Sequence, residues 1–333
     1  MNAVVRVSFR DCGMRPHSSS ATVGRVHPRL RKLATQRGIH RLSGRNTTKV
    51  SAGTISPQTT PAAADFPATH LLWTGGWDST FRLLQLLLLH RVPVVPHYLE
   101  DPARASTRIE LETMARIGDR IRHDWPHTRE LLRPLRVARV ADVEVDAGIA
   151  SALQAIRRRS YIGSQYAWLP AFCRQHGIDD MELGVHVDDK VQALLRGFVT
   201  TFEHPCGYRS LRVDPRHEAS AEYRLFRWFS FPLFGIDKVG IGRQAEAEGW
   251  GAVMEMTWFC HNPVRGRPCG ICAPCLYTIE EGLAHRVPPS RRALSLLYRR
   301  FVLPLKSPLR RLRAWLRGYR NGERPAAPDL GGP

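Results

Sequence analysis

From His70 onward, short apolar runs alternate with stretches in which apolar positions recur every three to four residues. Residues 70–74, 92–98, 140–145, 181–187 and 251–256 read as strands bounded by turn residues. Between them, residues 79–90, 106–122, 147–159, 166–176 and 237–248 read as helices. Strands alternating with helices mark βαβ units, so the expected fold is α/β, a parallel sheet with helices on both faces. Residues 197–231, interrupted by Pro205, Gly207 and Pro215, show neither period. That stretch is either a lid over a site or an insertion whose pattern is too weak to read.

Residues 66–256 carry the α/β pattern, and 257–288 form a cysteine-rich element with a following helix. Residues 1–65, rich in Arg, Ser, Thr and Pro, read as a disordered basic extension. An Arg-rich, acid-poor leader also has the composition of an organellar transit peptide, and an over-extended reading frame would account for it equally. Residues 289–333 mix Leu and Trp with Arg and are broken by Pro304 and Pro308, a basic amphipathic tail. Such a tail either packs on its own domain or lies on an anionic membrane or nucleic acid.

With 43% apolar and 24% charged residues in 333, the chain can build a large core, and disorder throughout is excluded. The longest aliphatic stretch, 83–89, is far short of the roughly 20 residues of a membrane span, so a soluble protein is expected. The net charge of +19 sits in the tails, +9 in 1–65 and +9 in 289–333, which leaves +1 for 66–288. A near-neutral body disfavours duplex binding, while the tails can still meet nucleic acid or an anionic surface. Seven cysteines with no apolar signal peptide, three of them scattered at 12, 173 and 206, suit a reducing cytoplasm better than a secreted disulfide scaffold.

The run Leu71-Leu72-Trp73-Thr74-Gly75-Gly76-Trp77-Asp78-Ser79-Thr80 passes from strand to helix through two glycines. Residues without Cβ let the backbone approach an oxyanion, and amides at a helix N-terminus point at it. Asp78 can hold Mg2+, and Ser79 and Thr80 can donate hydroxyls, although Asp78 and Ser79 can equally be plain helix caps. No G-x-x-x-x-G-K-[ST] loop is present and no G-x-G-x-x-G follows this strand, so kinase-like and dinucleotide readings lose support. The cluster Cys260-x8-Cys269-x2-Cys272-x2-Cys275 supplies four soft ligands on a turn-rich segment. Four thiolates can close a tetrahedral structural site around Zn2+, with an iron–sulfur cluster as the chemical competitor.

The glycine loop resembles the S-G-G-x-D-S loop of the ATP pyrophosphatases, with Thr74 in place of the first Ser. Together with Thr257-Trp258-Phe259-Cys260 and the cysteine spacing, residues 70–285 resemble the 7-cyano-7-deazaguanine synthase branch of that superfamily. The resemblance implies an adenine-nucleotide α-hydrolase fold, ATP and Mg2+ at Thr74, Gly75, Gly76, Trp77, Asp78, Ser79 and Thr80, and Zn2+ at the four cysteines. It aligns Tyr98 with Arg108 and Glu112, Pro232-Leu233 with Lys238, and Gly184-Val185-His186 with Asp189. Asp78, Ser79 and Lys238 are then the expected catalytic residues, Arg108 an added nucleotide ligand, and a homodimer the family's assembly. For Lys238 a solvated first-turn lysine, and for Arg108 and Glu112 a surface i,i+4 pair, are the bland alternatives.

The implied chemistry is adenylation of a deazapurine carboxylate, release of pyrophosphate, and capture of ammonia to give first an amide and then a nitrile. Two departures stand against it. Ile162-Gly163-Ser164-Gln165 lacks the family's Arg and Asn there, with Arg158 and Arg159 as nearby stand-ins, and Lys190-Val191-Gln192-Ala193-Leu194-Leu195-Arg196 replaces its base-side element. Adenylation of a tRNA base, an amide or a protein terminus, and a non-catalytic ATP-binding relative, are the competing readings.

Overall fold

A computed structural model of the protein describes residues 67–305. The expectations for residues 1–65, and for the part of the basic tail beyond 305, lie outside the described residues. Seven strands form one sheet in the order β3-β2-β1-β4-β7-β6-β5. The strands β1 (Thr69–Leu72), β2 (Val94–Glu100), β3 (Arg136–Arg139), β4 (Met181–Glu182) and β7 (Phe229–Ser230) run parallel, while β5 (Val199–Glu203) and β6 (Arg209–Val213) add an antiparallel hairpin at one edge.

Six consecutive residues of β2 are buried, as expected for an interior parallel strand covered on both faces. Neighbouring strand residues feed two separate cores. Leu71 and Tyr98 join Phe81 and Leu84 of α1 (Trp77–Leu84), Ile117 and Ile121 of α2 (Thr107–Asp124), and Trp250. Leu72 and Leu99 join Leu153 and Ile156 of α4 (Ala147–Arg157) and Phe172 of α5 (Leu169–Gln175). The period-2 alternation of the strands thus places helices on both faces, and the α/β parallel-sheet expectation holds. A bidentate pair, Arg82 Nε and Nη2 to Glu182 at 2.7 and 2.8 Å, ties α1 to β4, and the Tyr208 hydroxyl donates to the same carboxylate at 2.7 Å.

Three expected strands differ. Residues 251–256 form a helical turn, α9 (Gly251–Met254), with Trp250, Val253 and Met254 buried at three- and four-residue spacing. An apolar run of six is too short for periodicity to tell strand from helix. The strand expected over 140–145 is displaced to β3, an edge strand whose mostly exposed residues carry no apolar signal. Of residues 181–187 only Met181–Glu182 pair, and the chain then turns, with Val185 N–H donating to Leu183 O. The unread stretch 197–231 holds β5, β6, β7 and the helix α7 (Ala221–Phe226). No described helix is long and apolar enough to cross a membrane.

Candidate nucleotide site and cysteine centre

The loop between β1 and α1 lies at the C-terminal end of a central strand, where parallel α/β sheets open to ligands. Gly75 has φ +68°, and a Cβ there would stand 3.0 Å from Met114 Cγ and 3.5 Å from Glu110 O of α2. Gly76 precedes α1 without a capping side chain, so no side chain of its own covers the first-turn amides. Ser79 Oγ accepts from the Thr74 amide at 3.3 Å and lies 3.4 Å from Thr74 Oγ1, which folds the loop over the helix start. Oδ1 of Asp78 is buried without a hydrogen-bond partner, as is Trp77 Nε1. With the side chain 25% exposed, this carboxylate is open to a cation, a ligand donor or water.

Four further segments converge on the loop. The chain after β4 presses against it, since a Cβ on Gly184 would lie 3.1 Å from Asp78 Cβ. His186 follows, its Nε2 3.8 Å from Asp78 Oδ2. Its Nδ1 accepts the Asp188 amide at 3.3 Å, which assigns the ring proton of the neutral tautomer to Nε2, the nitrogen facing Asp78. Asp189 caps α6 (Lys190–Leu195) by accepting from Val191 N at 2.8 Å. Burial, with Asp78 adding to it, raises the Asp189 carboxyl above its usual range against the pull of Val191 N, His186 and Lys238.

Lys238 opens α8 (Lys238–Ala247) and donates from Nζ to Glu281 Oε2 at 2.6 Å, both side chains largely buried. Burial works against its charge, but Asp78, Glu281 and Asp189 outweigh it and raise its pKa. A cation at a helix N-terminus opposes the helix dipole, so these carboxylates are what hold it there. The structure therefore brings Asp78, Ser79 and Lys238 together, with His186 and Asp189 beside them.

The last segment is the cysteine element. Trp258 N–H donates to Gly75 O at 2.9 Å, so the Thr-Trp-x-Cys run is hydrogen-bonded to the glycine loop itself. Arg286, absent from the sequence-based site, is buried with its guanidinium 5.0 Å over the Trp77 ring and 5.2 Å over Phe259. It donates to Thr257 O at 2.5 Å and Thr257 Oγ1 at 2.8 Å. Burial lowers its pKa, offset in part by Glu255 and Asp78.

Two of the expected nucleotide ligands are placed apart from the others. Thr80 is fully buried and its Oγ1 accepts from Trp73 Nε1 at 3.0 Å, so its hydroxyl faces the core rather than the loop. Arg108 is 84% exposed and pairs with Glu112 on the solvent side of α2, the surface i,i+4 arrangement. The buried acid beside Tyr98 is Glu110, which accepts from Tyr98 OH at 2.7 Å, Ser106 Oγ at 2.6 Å and Arg104 Nη1 at 3.3 Å. Arg104 also lies 3.4 Å from His261 Nε2, next to Cys260. No sequence spacing singles out Arg104 and Glu110, because the turn between them sets which arginine folds inward. Arg159, the proposed stand-in, pairs with buried Glu222 of α7.

Cys260, Cys269, Cys272 and Cys275 bring their sulfurs within 4.8 Å of one another. Sγ separations are 3.9 Å for Cys269–Cys275 and 3.9 Å for Cys260–Cys272. A tetrahedral ion with metal–sulfur bonds of about 2.3 Å spaces its sulfurs about 3.8 Å apart, so the donor set fits one metal ion. Amides of Cys269, Ile271 and Cys272 donate to the sulfurs of Cys260 and Cys269 at 3.2–3.4 Å.

No family model and no curated protein matches the sequence. Among solved structures, the U34-tRNA thiolase NcsA of Methanococcus maripaludis, with its [4Fe-4S] cluster, is similar over 70% of this chain and 71% of its own, at 13% identity and a TM-score of 0.33.

Proposed function

We propose that the protein is an adenylating enzyme of the ATP pyrophosphatase type. The observation that carries the reading is the unpartnered, buried Asp78 Oδ1 in a glycine loop, with the cation of Lys238 held nearby by carboxylates. In the reaction, an oxygen of the substrate carboxylate attacks the α-phosphorus of ATP and the bond to the β-phosphate bridging oxygen breaks. The electron pair leaves with pyrophosphate and an acyl-adenylate forms. Amides of Gly76, Trp77 and Asp78, with the Ser79 hydroxyl, hold the departing phosphates, and Lys238 balances their charge. Asp78 would hold Mg2+, which supplies charge neutralisation at the phosphates. Arg286, stacked on Trp77, adds positive potential near Asp78.

The acceptor we propose is 7-carboxy-7-deazaguanine. Ammonia displaces AMP to give the amide, and a second adenylation with elimination gives the nitrile, 7-cyano-7-deazaguanine. Support comes from the Thr257-Trp258-Phe259-Cys260 run meeting the glycine loop through Trp258. The four thiolates would hold Zn2+ in a closed structural site, since a four-iron cube binds its thiolates on separate irons and sets them further apart. A reducing compartment such as the cytoplasm keeps those thiols available.

A second reading changes only the acceptor, to a tRNA base, an amide or a protein terminus. It is favoured by α6, a helix that buries Val191 and Leu195 where the deazapurine-side element is missing. The test is pyrophosphate release from Mg-ATP by the full chain, with ammonia, in the presence and absence of 7-carboxy-7-deazaguanine. Stimulation by the acid is expected. No stimulation in protein that binds ATP and retains its metal removes the deazaguanine assignment and leaves the other acceptors or a non-catalytic ATP-binding role.

A further inference from the structure

The helix α11 (Pro289–Leu297), which continues helically to Leu305, is turned the wrong way round for a helix packed on its own domain. Leu294, Leu297, Phe301 and Leu305 are 37%, 57%, 61% and 56% exposed, and Leu296, Val302 and Leu303 are exposed with them. On the domain side Ser295 is buried, and Arg299 pairs with Glu280 of α10 (Ala273–Glu280). Polar Ser295 and Arg299 thus face the domain, while the large apolar groups of the segment remain exposed to solvent. Exposed apolar patches of this kind mark interaction surfaces.

Charge selects the partner. Arg291, Arg292, Arg299 and Arg300 lie on the same helical segment, and residues 289–333 hold eleven Lys and Arg against Glu323 and Asp329 alone. A second copy of this chain brings the same positive segment, and residues 306–333 are themselves basic, so both repel the surface they would cover. Nucleic acid meets the charge but offers nothing to the leucines. An anionic lipid surface meets both, with apolar groups entering the acyl boundary and guanidinium groups staying at the phosphates. The described helix is not long and apolar enough to cross a bilayer, and an amphipathic basic segment of this kind lies in the plane of the interface.

We propose that residues 289–305 form an in-plane anchor that docks the protein on anionic membranes. This proposal is independent of the adenylation reading. It is tested by co-sedimentation of the full chain with vesicles of phosphatidylcholine, with and without phosphatidylserine, at low and high salt. Expected is binding that requires phosphatidylserine, weakens with salt, and falls at least about tenfold in the triple variant Leu297→Glu, Phe301→Glu, Leu305→Glu. The replaced side chains are solvent-exposed, so the melting temperature should not move, and Phe301→Ser alone should give a smaller loss in the same direction. Equal sedimentation of the native chain and the triple variant overturns the proposal. So does an absence of vesicle binding accompanied by tRNA binding or self-association that the triple variant abolishes.

Discussion

Replacing Lys238 by Met separates a charge that serves chemistry from one that serves the fold. Its ammonium lies 2.6 Å from Glu281, with side chains 17% and 18% exposed, and the charge of Asp78 adds to its pull. Breaking a well-buried pair from one side costs about 3–5 kcal/mol, and the residual exposure here argues for the low end, about 3 kcal/mol. A domain of this size loses about 2–4 °C of melting temperature per kcal/mol, so K238M should melt roughly 6–12 °C lower. In the double variant K238M/E281M the orphaned carboxylate is gone as well, and apolar replacement of both partners should return stability to within about 1 kcal/mol. Pyrophosphate release should stay at least about 100-fold down in the double variant, the loss typical of removing one preorganised charge-stabilising group. The assay is calorimetric melting alongside pyrophosphate release on the same preparations. Recovery of both stability and pyrophosphate release in K238M/E281M would refute the role given to Lys238.

Three other outcomes are expected. Metal analysis should find near one zinc per chain, lost in Cys272→Ser, whereas Asp78→Ala should abolish pyrophosphate release with metal content unchanged; metal retained by Cys272→Ser would contradict the four-thiolate site. Gly75→Ala forces a side chain into φ +68° with its Cβ 3.0 Å from Met114 Cγ; a cost of about 1–2 kcal/mol and a weaker affinity for ATP should follow, and unaltered ATP titrations would show that the loop does not face the nucleotide. Acid should destabilise the fold. Burial, with help from His70, Arg136 and His176, depresses His97 to about 3, so its stabilising effect is complete above the unfolded value near 6.5 and is lost as pH falls toward 3. Half-buried Asp180, raised to about 6 by desolvation, acts oppositely and stabilises the fold as pH drops through that value. Unfolding free energies measured from pH 7 to 4 should therefore decline less steeply in His97→Leu, by up to about 1.4 kcal/mol per pH unit, and an identical slope would contradict the assignment.

The glycine loop and the cysteine cluster were legible because each packs its chemistry into neighbouring residues, where spacing along the chain equals spacing in space. Trp258 bonded to Gly75, and Arg286 stacked on Trp77, join segments far apart in sequence, and no periodicity encodes such meetings. The misplaced Arg108 shows the same limit on a small scale: the Arg-x-x-x-Glu spacing is present, but the helix presents it to solvent while the preceding turn folds Arg104 onto Glu110. Long apolar strands such as β2 were clear, as was the position of β4, though only its first two residues pair, whereas the exposed edge strand β3 and the two-residue strand β7 bury too few side chains to print a pattern. Thr80 reads as a nucleotide ligand from its place at the end of the loop, yet the helical turn points its hydroxyl at Trp73.

The products distinguish the proposed attack at the α-phosphorus of ATP directly. Chromatography of nucleotides after incubating the full chain with Mg-ATP, ammonia and 7-carboxy-7-deazaguanine should show AMP and pyrophosphate in equal amounts, with neither formed by Asp78→Ala. ADP and inorganic phosphate as the products, or AMP formed equally well by Asp78→Ala, would contradict the account.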